Sequence, residues 1–217
     1  MIKAENVTKK VSVGKTKLPI LRDASLEVEK GKAAAIVGKS GCGKTTLMSI
    51  LSGIDAPTSG NVLLNGEDYY KLTTKKQEEF RNNNIGVIFQ NYHLIPELNC
   101  EENIRMPLVF SKKNVTKDEV EHVMNMVGIA QKRKLFPRQM SGGEQQRAAI
   151  ARALVNKPSI IFADEPTGAL DVETGDKVIN FLIASAHKLG LTLLLVTHDM
   201  DIAKKCDMIF EMKDGVL

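Results

Sequence analysis

The sequence AAAIVGKSGCGKTTLMSI, residues 33–50, carries the clearest structural signal in this chain. Five consecutive apolar residues lead into a glycine-rich segment, and a helical pattern follows. The glycine-rich segment, residues 38–45, matches the pattern G-x-x-x-x-G-K-[S/T], in which backbone amides between a buried strand and a helix N-terminus bind phosphate groups. The stretch therefore predicts an α/β domain with a phosphate-binding loop.

Each residue type in this loop has an expected task. The backbone amides of residues 41–45 would surround the phosphates of a nucleotide, helped by the positive end of the helix dipole. Lys44 would reach the β- and γ-phosphates, and the Thr45 hydroxyl would bind Mg²⁺. Cys42 is either a small filler side chain or a thiol activated by the helix N-terminus, and the filler role is favoured. The predicted ATP-binding residues of the loop are Gly38, Lys39, Ser40, Gly41, Cys42, Gly43, Lys44, Thr45 and Thr46.

Other apolar runs resemble the one that precedes the loop. They cover residues 85–89, 159–163 and 191–196, and they are continuous rather than alternating. Such runs are typical of strands that are buried on both faces of a mostly parallel sheet. Helical patterns between the runs stop at Gly53, Gly128 and Gly190, where glycine is a common helix terminator.

The remaining segments predict different structure. Residues 18–29 and 59–70 alternate apolar and polar positions around Gly and Asn turns, as antiparallel strands do. Residues 91–157 contain no convincing strand pattern and favour helices. We therefore predict a single domain over residues 1–217 with a P-loop NTPase core. It would have a mostly parallel sheet, an N-terminal antiparallel β layer and a helical subdomain at approximately residues 91–157.

Composition narrows the classes of protein that fit. Of the 217 residues, 43% are hydrophobic and 26% are charged, as in ordinary globular domains. The net charge of +4 is mild, and the scattered basic pairs favour a solvated surface over a nucleic-acid site. Three widely separated cysteines favour a reducing compartment, and no signal peptide is recognisable. Every apolar run is shorter than the roughly 20 residues that span a bilayer. We expect a cytoplasmic protein without a nucleic-acid partner.

A second chemical signal is SIIFADE, residues 159–165, an apolar strand that ends in two carboxylates. Because successive strand residues point in opposite directions, the two side chains can perform different tasks. Asp164 is placed to bind Mg²⁺ through water. Glu165 then remains to polarise the water molecule that attacks the γ-phosphate.

Taken together, these motifs resemble those of ABC-type ATPase domains, and the resemblance covers residues 1–217. The motifs that carry it occur in the family's order: GKSGCGKT, Gln90, SGGEQ, the strand ending in Asp164 and Glu165, Ala169-Leu170-Asp171 and Thr197-His198-Asp199. The segments IARALVNKP, ADEPTGALD, NCEENIRMPL and THDMDIAKKCD are similar to the lipoprotein-releasing, macrolide-exporter and antimicrobial-peptide-resistance branch. A cell-division ATPase that works with a related membrane protein is a near neighbour.

The resemblance implies roles for residues outside the loop. Gln90 would contact Mg²⁺ and the attacking water while sensing a membrane partner. His198 would contact the γ-phosphate and hold Glu165 and the water in place. Asp171 would lie at the interface between two copies and order the opposite site. The segment NYHLIPELNCEENIRMPL either contributes to a groove for a helix of the membrane subunit, which is favoured, or is a plain connection.

The stretch MSGGEQQ, residues 140–146, is locally an ordinary helix start, because Ser141 and Glu144 have the spacing of a capping box. The phosphate loop, Asp164 and Glu165 would contact one side of a nucleotide bound to this chain. We therefore assign Ser141, Gly142 and Gly143 to the γ-phosphate of an ATP molecule held by a second copy.

One position departs from the family pattern. Members usually have an aromatic residue near the N-terminus that stacks on adenine, and the matching residue here is Val11. No aromatic residue precedes Tyr69. An apolar contact from Val11 remains, but base stacking would be missing, which predicts weaker binding of ATP or weaker preference for adenine.

The function that the resemblance implies is that of an ATP-hydrolysing subunit. It would dimerise on ATP binding, lie on the inner face of the membrane, and power export or membrane extraction through a separate permease that sets the substrate. The alternative is a cell-division-type ATPase that transmits conformational change without transport. Chromosome-maintenance ATPases fit poorly, since only 97 positions separate Lys44 from Ser141 and no coiled coil intervenes. Ribosome-associated ATPases usually carry two such domains. A scaffold that binds ATP without turnover is disfavoured by Glu165 and His198.

Overall fold

Two sheets organise the computed structural model, which describes residues 1–14, 16–111, 113–168 and 170–217. The first sheet is antiparallel, with the order β2-β1-β4-β5. Both N-terminal strands are long and form a hairpin, as the alternating pattern predicts. The strands of this first sheet are β1 (Ile2–Val13), β2 (Thr16–Val28), β4 (Ser59–Leu64) and β5 (Glu67–Asp68).

The second sheet is parallel throughout, with the order β6-β7-β8-β3-β9. The four continuous apolar runs are confirmed as strands within one or two residues at each end, and β9 is an additional edge strand. The members of this sheet are β3 (Ala33–Val37), β6 (Ile85–Ile88), β7 (Ile160–Asp164), β8 (Thr192–Val196) and β9 (Met208–Glu211).

Helices cover the parallel sheet. Within the described part of residues 91–157 there are helices and no strand, as predicted, whereas the division of this segment into a separate subdomain stays a prediction. No helix in the described ranges is long and apolar enough to cross a lipid bilayer. The helices are α1 (Lys44–Leu51), α2 (Thr74–Asn84), α3 (Cys100–Val109), α4 (Lys117–Met126), α5 (Gly142–Leu154), α6 (Val172–Leu189) and α7 (Met200–Ala203).

The core lies on both faces of the parallel sheet. Along β3, Ala33, Ala35 and Val37 pack into one buried cluster, and Ala34 and Ile36 pack into another. This alternation explains the continuous apolar runs, because each strand must be apolar on both sides. Since all five strands run in the same direction, their carboxyl ends meet at one edge of the sheet. Ligands of open α/β sheets bind at this edge.

A buried asparagine fixes the segment that follows β6. Asn103 is 0% exposed. Its side-chain oxygen accepts a hydrogen bond from the amide of Ile95 at 2.7 Å, and its nitrogen donates to the carbonyls of Ile95, Leu98 and Asn99 at 3.0, 2.8 and 3.1 Å. One side chain therefore satisfies several main-chain groups of the connection between β6 and α3.

We expect Asn103→Leu to lower the free energy of unfolding by about 2–3 kcal/mol, because it removes the hydrogen bonds that the side chain makes to the Ile95 amide and the Leu98 carbonyl. Urea denaturation measures the effect as a lower midpoint with an unchanged slope. The matched control is Asn125→Leu, at an exposed position of α4, which should change stability by less than about 0.5 kcal/mol. Equal midpoints for the two variants would contradict the bracing role of Asn103.

Candidate functional site

The carboxyl ends of β3, β6, β7 and β8 surround a cavity of about 470 Å³. It brings together most of the site residues that the sequence predicts, although they are far apart along the chain. Ile20, from the N-terminal hairpin, was not predicted. The cavity is lined by Ile20, Ser40, Gly41, Gly43, Lys44, Thr45, Thr46, Gln90, Asp164, Glu165, Val196 and His198.

Glycine is required at two positions of the loop between β3 and α1. Gly38 has φ +153°, and a Cβ atom there would lie 2.3 Å from the Met212 carbonyl oxygen. Gly43, the N-cap residue of α1, has φ +110°, and its Cβ would lie 2.9 Å from a methyl group of Leu21. Both positions combine a left-handed backbone with close packing against neighbouring strands. The loop therefore lies too close to these neighbours for a side chain at either position.

The Lys44 side chain lies inside this loop. Its ammonium group donates hydrogen bonds to the carbonyls of Gly38 at 2.7 Å and Lys39 at 3.0 Å, and the residue is buried. A phosphate held by the loop would compete with these carbonyls for the same charge. Cys42 is half-buried and packs against the apolar cluster beneath the loop. That position suits the predicted filler role.

Asp164 ends β7 at the base of the cavity and is buried. Burial raises the pKa of its carboxyl group, the charge of Glu165 acts in the same direction, and the Thr45 hydroxyl and the Lys44 ammonium oppose the rise. A carboxylate beside a hydroxyl is a hard oxygen donor set, which fits Mg²⁺. The described residues contain no cluster of three or more His, Cys, Asp or Glu that could hold a metal by itself.

Glu165 has an unusual backbone conformation. Its φ is +44°, in the left-handed region that costs a residue with a side chain about 1–2 kcal/mol. Its amide donates to the carbonyl of Val196 at 2.9 Å, and its own carbonyl accepts from Gly168 at 3.1 Å. These bonds hold the residue in the strained turn. Glu165 lines the cavity, and so does Asp164, the residue directly before it.

His198 contacts that carboxylate directly. Its Nδ1 lies 2.8 Å from Oε1 of Glu165. The histidine follows β8, the neighbour of β7 in the sheet, and its side chain is 75% exposed. Hydrogen bonding of Nδ1 to a carboxylate leaves Nε2 for a second partner. The predicted pairing of His198 with Glu165 is present in the structure.

Four other predicted site residues stand at helix starts or beside them, and none of the four lines the cavity. Ser141 is the N-cap of α5. It accepts a hydrogen bond from the Glu144 amide at 3.3 Å, and the Glu144 carboxylate accepts one from the Ser141 amide at 2.8 Å. The capping box is therefore confirmed. Asp171 caps α6 in a similar way, through the Thr174 amide at 2.9 Å. Gly142 and Gly143 form the first turn of α5, and Ala169 lies outside the described residues.

Val11 also stays outside the cavity, but the hairpin connects it to the cavity wall. It pairs with Leu18 across β1 and β2, so their side chains share one face of the sheet. Ile20 follows two positions later on β2, where the register against β1 shifts, and it lines the cavity. We call these three aliphatic residues of the hairpin, Val11, Leu18 and Ile20, the aliphatic strip.

The loop, the two carboxylates and the histidine at one edge of a parallel sheet define a P-loop nucleotide-binding protein. A model of the ABC transporter family matches residues 21–168, and the chain belongs to this family. Its predicted identity as an ABC-type ATP-binding ATPase is thereby confirmed.

Known proteins are similar to this chain over nearly its whole length. The lipoprotein-releasing system ATP-binding protein LolD of Shewanella frigidimarina is 42% identical, over 100% of this chain and 92% of its own length. The macrolide export ATP-binding/permease protein MacB of a Shewanella species is 41% identical over 94% of this chain and 32% of that longer protein. A dimeric structure of the ATP-binding cassette MJ0796, in a post-hydrolysis state bound to ADP and phosphate, matches with TM-score 0.94 at 35% identity. It covers 100% of this chain and 96% of that one.

Proposed function

We propose that two copies of this chain close on two ATP molecules and hydrolyse them with Mg²⁺ to drive a membrane permease. The observation that carries the hydrolytic part is the strained Glu165, whose carboxylate is held 2.8 Å from His198 beside the phosphate loop. Strained backbone at such a position is typical of functional sites. A residue that only filled space could adopt a relaxed conformation.

The residues divide the chemistry between them. Asp164 and Thr45 would hold Mg²⁺, which neutralises charge on the β- and γ-phosphate oxygens when bound. Gln90 would contact the metal and the attacking water. Glu165 would accept the proton of that water, and His198 would orient the Glu165 carboxylate. Lys44 would leave the loop carbonyls for the phosphates.

Dimerisation would complete each site. The start of α5, with Ser141 as its cap and Gly142 and Gly143 in its first turn, does not line the cavity of its own chain. Such a helix N-terminus binds anions. The dimeric structure of the MJ0796 cassette supports dimerisation, and we propose that this turn contacts the ATP of the second copy. The Asp171 cap of α6 would lie at the same interface.

A membrane permease is the proposed partner. Val109 and Phe110, at the end of α3, are 71% and 65% exposed, and Phe110 lines a second cavity of about 300 Å³. Exposed apolar side chains beside a groove are typical of interaction sites. The names of LolD, from a lipoprotein-releasing system, and MacB, a macrolide exporter, support a lipoprotein or macrolide substrate. A peptide substrate, membrane extraction and a position at the cytoplasmic face belong to the same proposal. Mechanical coupling without transport, as in cell division, is the second candidate.

The partner can be tested by affinity purification from detergent-solubilised membranes of the native host. We expect the parent chain to recover a multi-span membrane protein and Phe110→Asp to recover much less of it. Leu189→Asp is the matched control, since Leu189 is 67% exposed at the end of α6, on another surface. Equal recovery by both variants would contradict docking at Phe110.

The aliphatic strip predicts a gain of affinity. Val11→Tyr should tighten ATP binding by about tenfold, because base–aromatic stacking contributes about 1–3 kcal/mol. Val11 is 42% exposed, so the larger ring can be accommodated. A fluorescence titration measures Kd, and Ser12→Tyr, on the opposite face of β1, is the control. An unchanged Kd for Val11→Tyr would exclude this region as the base platform.

A further inference from the structure

The loop that carries Gln90 contains two consecutive non-glycine residues in left-handed conformation. Tyr92 has φ +57° and His93 has φ +48°. This conformation is unfavourable for any residue with a Cβ atom and persists only where surrounding contacts impose it. The connection after β6 must therefore be held by specific partners.

One partner is an arginine on a distant helix. Arg152 of α5 donates from one guanidinium nitrogen to the Tyr92 carbonyl at 2.6 Å and from another to the His93 carbonyl at 2.5 Å. The planar fork of an arginine suits two adjacent acceptors. Burial lowers the pKa of Arg152, and within the described residues it forms no ion pair with a carboxylate. Its desolvated charge is therefore directed to these two carbonyls.

The same loop is held from its other side. The His93 ring stacks on Phe89, with ring centroids 4.6 Å apart and planes inclined by 22°. Gln90 directly follows Phe89, so the stack and the Arg152 fork fix both ends of a short segment that contains Gln90. The Gln90 side chain reaches the nucleotide cavity from this segment.

We infer that Arg152 is a positioning residue, which holds Gln90 in the nucleotide cavity through the carbonyls of Tyr92 and His93. Arg152 lies on α5, whose N-terminus carries Ser141, so one helix connects the two parts of the site. Its side chain also lines the second cavity, with Met106, Pro107 and Phe110. A permease segment in that cavity would touch the side chain that fixes Gln90. The inference rests on the proposed role of Gln90 in hydrolysis.

Steady-state kinetics test the positioning role in the full chain. Arg152→Met keeps an apolar stem but removes the donors, and kcat should fall about ten- to a hundredfold, as expected when a catalytic group is misplaced. The Kd for ATP should stay within about twofold, because the phosphate loop is untouched. Arg152→Lys should recover part of kcat. Arg133→Met, which removes a 3.3 Å ion pair with Glu121 and a hydrogen bond to the Ala130 carbonyl, is the control and should keep the parental kcat.

A spectroscopic reporter separates loop positioning from a general loss of structure. The chain contains no tryptophan, so Tyr92→Trp introduces a single fluorophore into the loop. We expect lower anisotropy and about twofold stronger acrylamide quenching when Arg152→Met is added, and no change when Arg133→Met is added. If Arg152→Met does not fold, the same comparison is made with Arg152→Lys, which should show a smaller change in the same direction.

Two outcomes would overturn the inference: a parental kcat in Arg152→Met, or an unchanged tryptophan signal. Gln90→Ala, measured in parallel, distinguishes this failure from failure of the proposed function. Loss of turnover in Gln90→Ala with parental turnover in Arg152→Met contradicts only the positioning role. Parental turnover in Gln90→Ala contradicts the proposed role of Gln90 itself, and the tryptophan signal then still decides whether Arg152 holds the loop.

Discussion

Glu165→Gln lowers kcat for ATP hydrolysis by about 10²- to 10⁴-fold, the range expected for loss of a general base. Glutamine has nearly the same shape and can still accept the hydrogen bond from Nδ1 of His198, which lies 2.8 Å away in the parent. It cannot take a proton from water at neutral pH. ATP binding should therefore be intact, and the copies should remain closed on unhydrolysed ATP.

Phosphate release measures kcat, a nucleotide titration measures Kd, and size-exclusion chromatography with ATP detects the trapped dimer. The matched control is Glu211→Gln. Glu211 is an exposed carboxylate that ends β9, at the same edge of the parallel sheet, but it does not line the cavity. It should keep the parental rate. Parental turnover in Glu165→Gln would show that another group activates the water.

Much of the fold could be predicted because burial on both faces leaves a strong pattern. The run at residues 33–37 coincides with β3, and all five of its residues are buried. The antiparallel layer was predictable for the opposite reason, since β2 alternates exposed and buried residues from Asp23 to Val28. The motifs then placed Lys44 at the start of a helix, α1, and Asp164 at the end of a strand, β7. The local sequence is sufficient to predict an element where the burial of its residues follows one regular pattern.

Two elements gave no such pattern. The strand β9, with the sequence MIFE, is only four residues long and lies at an edge, so its exposure alternates and its signal is short. The helix α2, with the sequence TKKQEEFRNNN, has Phe80 as its only buried residue and so lacks an apolar stripe. Both are stabilised mainly by their position beside longer elements. Their formation depends on tertiary contacts that a local pattern does not report.

Some features of the site likewise depend on tertiary contacts that a local sequence pattern does not report. The sequence places His198 after a strand, but its contact with Glu165 requires β8 to lie beside β7, and a local sequence pattern does not report which strands pair. The left-handed backbone of Glu165 occurs without glycine and has no sequence signal. Ile20 lies at the cavity because of the N-terminal hairpin, and Arg152 contacts the loop after β6 because of its place on α5. Their roles follow from the fold and not from a motif.

Mixing two inactive variants should restore ATP hydrolysis if each site is shared between two copies. Lys44→Ala removes the ammonium that the phosphate loop supplies, and Gly142→Asp places a negative charge in the first turn of α5, where it would repel a γ-phosphate. Gly142→Asp should still bind ATP as a monomer, but it should not close as a dimer or hydrolyse ATP. In a mixed dimer, the loop of the Gly142→Asp copy faces the intact α5 turn of the Lys44→Ala copy, which reconstitutes one complete site.

The expected rate follows from the statistics of a symmetric dimer. In an equimolar mixture, half of the dimers are mixed and each has one intact site of two, so the rate should reach about a quarter of the parental rate. The control mixes Lys44→Ala with Thr45→Ala, which damage the same half-site and should remain inactive together. No recovery at concentrations where parental dimers form would place both half-sites in one chain. Recovery would assign Ser141, Gly142 and Gly143 to the ATP of the partner, because the Gly142→Asp copy cannot supply that turn to its own nucleotide.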